Sequence, residues 1–159
     1  MTRAARSTVH ARKVAAAFYA PDGMIPEKPV RKKPVDREGP IHRAIKRWLE
    51  AVLPPDCFVS HIPGAPRNEI AGARLKSLGA TAGTPDIIII VPGAHLEHDV
   101  DSRTFFLEVK AHGGRLSPEQ VETIGRLEKA GAYVDLVRSV EEARYSLRRW
   151  GVYTREIGA

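Results

Sequence analysis

Apolar residues recur along this chain in two rhythms. Ile41, Ile45, Trp48, Leu49 and Val52 fall three or four apart, the spacing of one helix face, and Pro54-Pro55 stops the run. Cys57 to His61 reads as a short strand. Asn68 is a candidate N-cap for a helix over Glu69 to Leu78, which Gly79 ends. Asp86 to Val91 carries five consecutive apolar residues, and β-branched residues in such a run predict a strand covered on both faces, hence central. Residues 92–103 read as a polar loop, and Thr104 to Lys110 as the next strand. Ser117-Pro118-Glu119-Gln120 combines an N-cap serine, proline at the first helical position and glutamine where a capping box needs it. That helix runs to Ala130 and stops at Gly131. Tyr133 to Arg138 predicts a strand, and Ser139, with Glu142 three residues on, caps a last helix running to about Trp150. The order is α-β-α-β-β-α-β-α, a mixed α/β domain with a small central sheet flanked by helices.

Residues 1–37 break this pattern. Val9, Val14, Phe18 and Tyr19 allow one short helix, Pro21-Asp22-Gly23 signals a turn, and Pro26, Pro29 and Pro34 stand among Lys28, Arg31, Lys32 and Lys33. Charge draws the same boundary. Residues 1–37 hold nine basic and three acidic residues, the whole of the +6 net charge, while residues 38–159 hold 16 of each. The 159 residues therefore divide into a basic, proline-containing arm and a balanced domain over 38–159. A cationic arm adds salt-dependent affinity for nucleic acid; it also fits a solubilising tail, or a targeting segment, since the first 21 residues contain no acid. The single cysteine, Cys57, excludes a disulfide framework and a cysteine-based zinc site. An apolar run of five residues is far too short to cross a bilayer.

The strands turn spacing into geometry. In Thr104 to Lys110, Phe105, Leu107 and Val109 share the core face, and Phe106, Glu108 and Lys110 the other. A Glu and a Lys two apart also describe an ordinary surface pair. Asp86 stands at the mouth of the central strand after Gly83-Thr84-Pro85, where it is either a hard-cation ligand or a turn aspartate bonded to its own backbone. Were the two strands adjacent and antiparallel, Asp86 would lie near Glu108 and Lys110. Two converging carboxylates are costly unless a divalent cation neutralises them, and Mg²⁺ suits one or two carboxylates plus water and phosphate oxygens. Glu38 lies three before Ile41 and seven before Ile45, on the inward stripe of the first helix; a first-turn glutamate favoured by the helix dipole accounts for it equally. His42 is four residues from Glu38 on the same face and is set aside as structural. His61, His95, His98 and His112 form no metal spacing.

Gly83-Thr84-Pro85-Asp86, then Glu108-Val109-Lys110, then Gly114-Arg115-Leu116-Ser117-Pro118-Glu119-Gln120 resembles the virus-type replication-repair nuclease (VRR-NUC) domain, a branch of the PD-(D/E)XK nuclease superfamily. The stretch from Asn68 to Gly79 follows in family order as well, so the resemblance covers about residues 38–140. It implies a restriction-endonuclease-like core. It implies that Asp86 and Glu108 bind Mg²⁺, or Mn²⁺ in its place, with the Val109 backbone carbonyl as a further ligand. It implies that Lys110 is the catalytic lysine, that Gln120 is the motif glutamine beside it, and that Glu38 is the acid of the first helix. The capping box explains Gln120 without catalysis; the two roles are compatible. The implied activity is phosphodiester hydrolysis in DNA, with a preference for branched or structured DNA such as four-way (Holliday) junctions, as in repair. Standalone members, typical of bacteria and phages, act as resolvase-like homodimers in the cytoplasm.

Arg115, in the loop before the Ser117 helix, is the first candidate for a DNA phosphate contact, followed by Arg74 and Lys76; each also reads as a solvated surface charge. Arg43, Lys46 and Arg67 have no assignment. A catalytically idle nucleic-acid-binding module is the competing reading, against which the intact Asp86, Glu108 and Lys110 stand. A nucleotide-binding enzyme finds no glycine-rich phosphate loop or Walker motif here. Deleting residues 1–37 removes nine cations, so DNA affinity should fall and its dependence on log salt should flatten in a fluorescence-anisotropy titration. An unchanged salt slope would show that the arm does not touch DNA.

Overall fold

The structure is a computed structural model that describes residues 35–64, 69–97 and 101–155. Residues 1–34 of the expected arm, together with Arg67, Asn68 and His98, lie outside the described residues. Among the described residues, four helices and four strands follow the expected order: α1 (Gly39–Val52), β1 (Phe58–His61), α2 (Glu69–Ser77), β2 (Ile87–Pro92), β3 (Ser102–Val109), α3 (Pro118–Lys129), β4 (Tyr133–Val137) and α4 (Val140–Arg149). A 3₁₀ turn, Gly93–His95, follows β2 inside the segment expected as loop. Among the described residues no helix is long and apolar enough to cross a membrane.

The sheet order is β1-β2-β3-β4. β1 pairs antiparallel with β2, and β2 antiparallel with β3, Ile87 opposite Leu107 and Ile89 opposite Phe105. β4 pairs parallel with β3, Phe105 opposite Tyr133. A parallel neighbour needs a crossover, and α3 provides it.

One face of the sheet carries the core. Ile87, Ile89 and Val91 of β2, Phe105, Leu107 and Val109 of β3 and Val137 of β4 meet Ile45, Leu49 and Val52 of α1 and Ala143 and Leu147 of α4. Trp150, just past α4, stacks on Phe105 with ring centroids 5.0 Å apart. The helical and strand periods of the sequence thus place their apolar residues on the two sides of one interface.

The second face departs from expectation. β2 is central by position but not covered on both sides: Ile88 is half-buried and Ile90 is 36% exposed. α3 packs on the β4 side of the sheet, and α2 buries no residue. This half-open face carries Glu108.

Two local features lock the site-bearing segments together. Gly83 has φ +75°, and a Cβ there would lie 2.3 Å from the Glu119 carbonyl oxygen, so the turn before Asp86 presses directly on the first turn of α3. The Thr123 hydroxyl donates to the Ala82 carbonyl at 2.7 Å and closes the same contact. At α3 itself, the Ser117 hydroxyl accepts from the Gln120 N–H at 3.3 Å and the Gln120 amide oxygen accepts from the Ser117 N–H at 2.9 Å, the expected capping box. Gly83→Ala should therefore lower unfolding free energy by about 2 kcal/mol or more, through left-handed backbone strain and the clash with α3. Urea midpoints test this; an unchanged midpoint would show that the turn and α3 separate freely.

Candidate active site

β2 begins one residue after Asp86. Continuing the register that sets Ile87 opposite Leu107 puts Asp86 opposite Glu108, on the half-open face. Asp86 is held at both ends. Its Oδ2 accepts from the Val109 N–H at 2.8 Å. Its backbone carbonyl accepts from the Ile62 N–H at 2.8 Å and lies 3.1 Å from His61 Nδ1. The expected antiparallel pairing thus brings the two carboxylates together, and the bend at Asp86 turns its carboxylate toward the end of β3. Val109 keeps its side chain in the core, while its N–H steadies Asp86.

Glu108 is 1% exposed, an extreme position for a carboxylate. Its Oε1 accepts from Lys110 Nζ at 2.7 Å and from the Gln120 side-chain amide. Its Oε2 is buried without a partner. Burial pushes the Glu108 carboxyl above its ordinary range; the Lys110 hydrogen bond opposes this, and the Asp86 and Glu38 charges push further up. Burial alone would lower Lys110, but the hydrogen bond and charge of Glu108, with Glu38 and Asp86 behind it, raise it overall. Lys110 is therefore a fixed ammonium at neutral pH. Gln120 joins both explanations offered for it: its amide oxygen caps α3 and its amide nitrogen reaches Glu108.

Glu38 corrects an expectation. It is the N-cap residue of α1 and is exposed, not buried on the inward stripe. Its side chain makes no cap bond; Oε1 instead accepts from the Ala111 N–H at 3.3 Å, beside Lys110. With Asp86 and Val109 it lines a cleft of about 300 Å³, shared with Gly39, His42, Arg43, His61 and Gly64.

His42 and His61 enter this cleft although sequence reasoning set the first aside and gave the second no role. Their rings meet edge to face, centroids 4.6 Å apart and planes at 81°. Burial, then the neighbouring His61, lower the His42 ring below its ordinary range, so it is neutral at neutral pH. The spacing from Glu38 to His42 signals the first; the second needs the β1–β2 pairing, which no local pattern gives. Arg43 is a cleft residue that sequence left unassigned.

The other predicted cations are not brought into the cleft. Arg74 and Lys76 lie exposed in the last turn of α2. Arg115 is exposed in the loop between β3 and α3. That loop is tied down by Arg138, whose guanidinium donates to the Gly114 carbonyl at 3.3 Å, a contact without a sequence signal.

A divalent cation fits this donor set. Two facing carboxylates, one with an unpartnered buried oxygen, are what a hard cation needs, though no group of three or more His, Cys, Asp or Glu stands preassembled among the described residues.

No protein-family profile matches the sequence, and no curated protein matches it. Solved structures do. One, a "VRR_NUC domain protein", aligns with a TM-score of 0.56 at 21% identity over 74% of this chain and 90% of its own. Another, a "VRR_NUC domain", aligns with a TM-score of 0.48 at 20% identity over 73% of this chain and 99% of its own. At these identities the likeness is one of fold, and the first alignment carries it: this chain has the fold of a VRR_NUC domain protein.

Proposed function

We propose that this protein is a metal-dependent endonuclease that hydrolyses phosphodiester bonds in DNA. The observation that supports it most is Glu108, a carboxylate buried against Asp86 with one oxygen held by Lys110 and Gln120 and the other left bare. Lys110 and Gln120 compensate Oε1 alone, so the bare Oε2 keeps a desolvation cost that a bound cation would offset.

In this reading Asp86 and Glu108 hold Mg²⁺, or Mn²⁺ in its place, with the Val109 carbonyl as a further ligand. The bound cation supplies polarisation of the scissile phosphate and a more acidic water. The chain's own residues do the rest. Lys110, a fixed cation, offers positive charge where the pentacoordinate phosphate accumulates negative charge. Gln120 fixes the Glu108 carboxylate from the helix side. Glu38 adds negative charge and an acceptor beside the strand end. Arg115, Arg43, Arg74, Lys76 and the arm are the candidate contacts to DNA phosphates. The preference for branched DNA and pairing as a homodimer rest on the sequence resemblance.

Labelled four-way junction, flap, single-stranded and duplex DNA, incubated in Mg²⁺, Mn²⁺ or EDTA, test the activity. Cleavage is expected in either metal and not in EDTA. Asp86→Asn and Lys110→Ala should each lower it by about 10²-fold or more while junction binding stays within about threefold. Full activity in Asp86→Asn would overturn the metal assignment, and binding without cutting under every condition would favour the idle module.

The metal-free site carries a second consequence. A carboxyl raised in the folded state stabilises the fold below its ordinary value of 4.5, and that contribution is lost as pH rises through the raised folded value. Urea unfolding in EDTA should therefore show wild type losing stability relative to Glu108→Gln as pH climbs above about 4.5. A difference independent of pH would contradict burial as the leading cause.

A further inference from the structure

The domain over 38–159 is electrically balanced, but its ion pairs leave some cations free in one place. On α1, Lys46 pairs with Glu50 at the i,i+4 spacing that supports a helix. Arg43 and Arg47 stand at the same spacing with like charge, which opposes the helix. Both are exposed; Arg47 Nε donates to the Arg43 carbonyl at 3.3 Å, and neither has a carboxylate partner among the described residues. On α4, Arg149 pairs with Asp135 at 2.8 Å, and Arg138 just before it lies 4.0 Å from Glu142. Arg144 and Arg148 repeat the exposed like-charge spacing without an ion pair among the described residues, although Glu141 feels the Arg144 charge. The helix dipole accounts for Arg148 in the last turn of α4 but not for the other three.

We propose that Arg43 and Arg47 of α1, with Arg144 and Arg148 of α4, form a track for a DNA phosphate backbone along which the substrate leaves the active-site cleft. This rests on the proposed nuclease activity, and it gives Arg47, Arg144 and Arg148 a role. The two helices lie side by side. Leu49 and Leu147 share one core, and the Arg144 guanidinium sits 5.8 Å from the centre of the Trp48 ring. Trp48 thus joins the α4 arginines to the α1 row. Both helices start at the active-site end of the sheet. Glu38 at the head of α1 reaches the Ala111 N–H, and α4 follows β4, whose Val137 lies beside Val109. Arg43 lines the cleft itself. The track therefore begins at the site and runs away from it, each arginine pair spanning about 6 Å along its helix. A polyanion continuous with the cleaved phosphate fits such a track, because it offers charge at successive steps and releases counterions at each contact. Solubility is the competing account. It asks for net charge, which this domain does not have, and gives no reason for four unpaired arginines on adjoining helices beside the cleft.

The test compares two full-length variants that lose the same charge: Arg144→Gln with Arg148→Gln on the track, and Arg126→Gln with Lys129→Gln in the last turn of α3. Binding to a labelled duplex is read by fluorescence anisotropy in EDTA over a salt series. The track variant should bind about 10-fold more weakly, with a log–log salt slope shallower by about 1.8, while the α3 variant stays within about threefold of wild type. Arg144→Lys with Arg148→Lys should restore affinity, because a phosphate contact needs the charge rather than the guanidinium plane. With a four-way junction in Mg²⁺, the track variant should raise KM about 10-fold and leave kcat within about threefold. Equal loss in the two glutamine variants, or no rescue by lysine, would overturn the track and leave the nuclease standing. Weaker binding with unchanged KM would do the same, since the DNA held there would not be the DNA being cut. Track-dependent binding by a wild type that cuts in no metal would overturn the nuclease and leave the arginines as a backbone-binding surface. Wild type that binds anionic vesicles through these arginines, and no DNA, would overturn both.

Discussion

The pairing of β2 with β3 is the constraint on which the rest depends. It is fixed by apolar burial, because sliding one strand by a single residue would turn Ile87, Ile89 and Val91 out of the core. The same register sets Asp86 opposite Glu108 on the other face. Hydrophobic side chains that play no part in chemistry thus fix the alignment of the two carboxylates, and α3 closes over the result through Gly83 and Gln120.

That division of labour gives the sheet two different faces. One is a packed interface with α1 and α4. The other is held open enough for a charged site, with Ile90 partly exposed and α2 burying nothing. Glu108, Lys110 and Gln120 form a closed polar knot there, and Glu38, His42 and His61 border an open cleft on the α1 side. Asp86 joins the two.

Much of this was legible in the sequence because each element carries its own local signal. The period of α1, the capping box at Ser117 and the alternation in β3 are properties of neighbouring residues, and each element formed within a residue or two of its expected limits. The facing of Asp86 and Glu108 followed once the strands were taken as antiparallel neighbours. What was not legible depends on distant chain. Five apolar residues in a row read as doubly covered, yet only packing decides whether a helix covers Ile90. His61 acquires its contact with Asp86 through the β1–β2 pairing, and Glu38, at the N-cap, precedes the residues that α1 buries.

Gln120 shows how a local rule and a distant site narrow each other. The α3 N-terminus would accept glutamate at this position as readily as glutamine, since either side chain returns an oxygen to the Ser117 N–H. The site would not: a carboxylate there brings a second acceptor against Glu108 Oε1 in place of the donor it now meets. Asparagine keeps the amide but is one methylene too short for the capping geometry. Two vocabularies, one written by helix ends and one by buried charge, share a single word at this residue, and the side chain is chosen by their intersection.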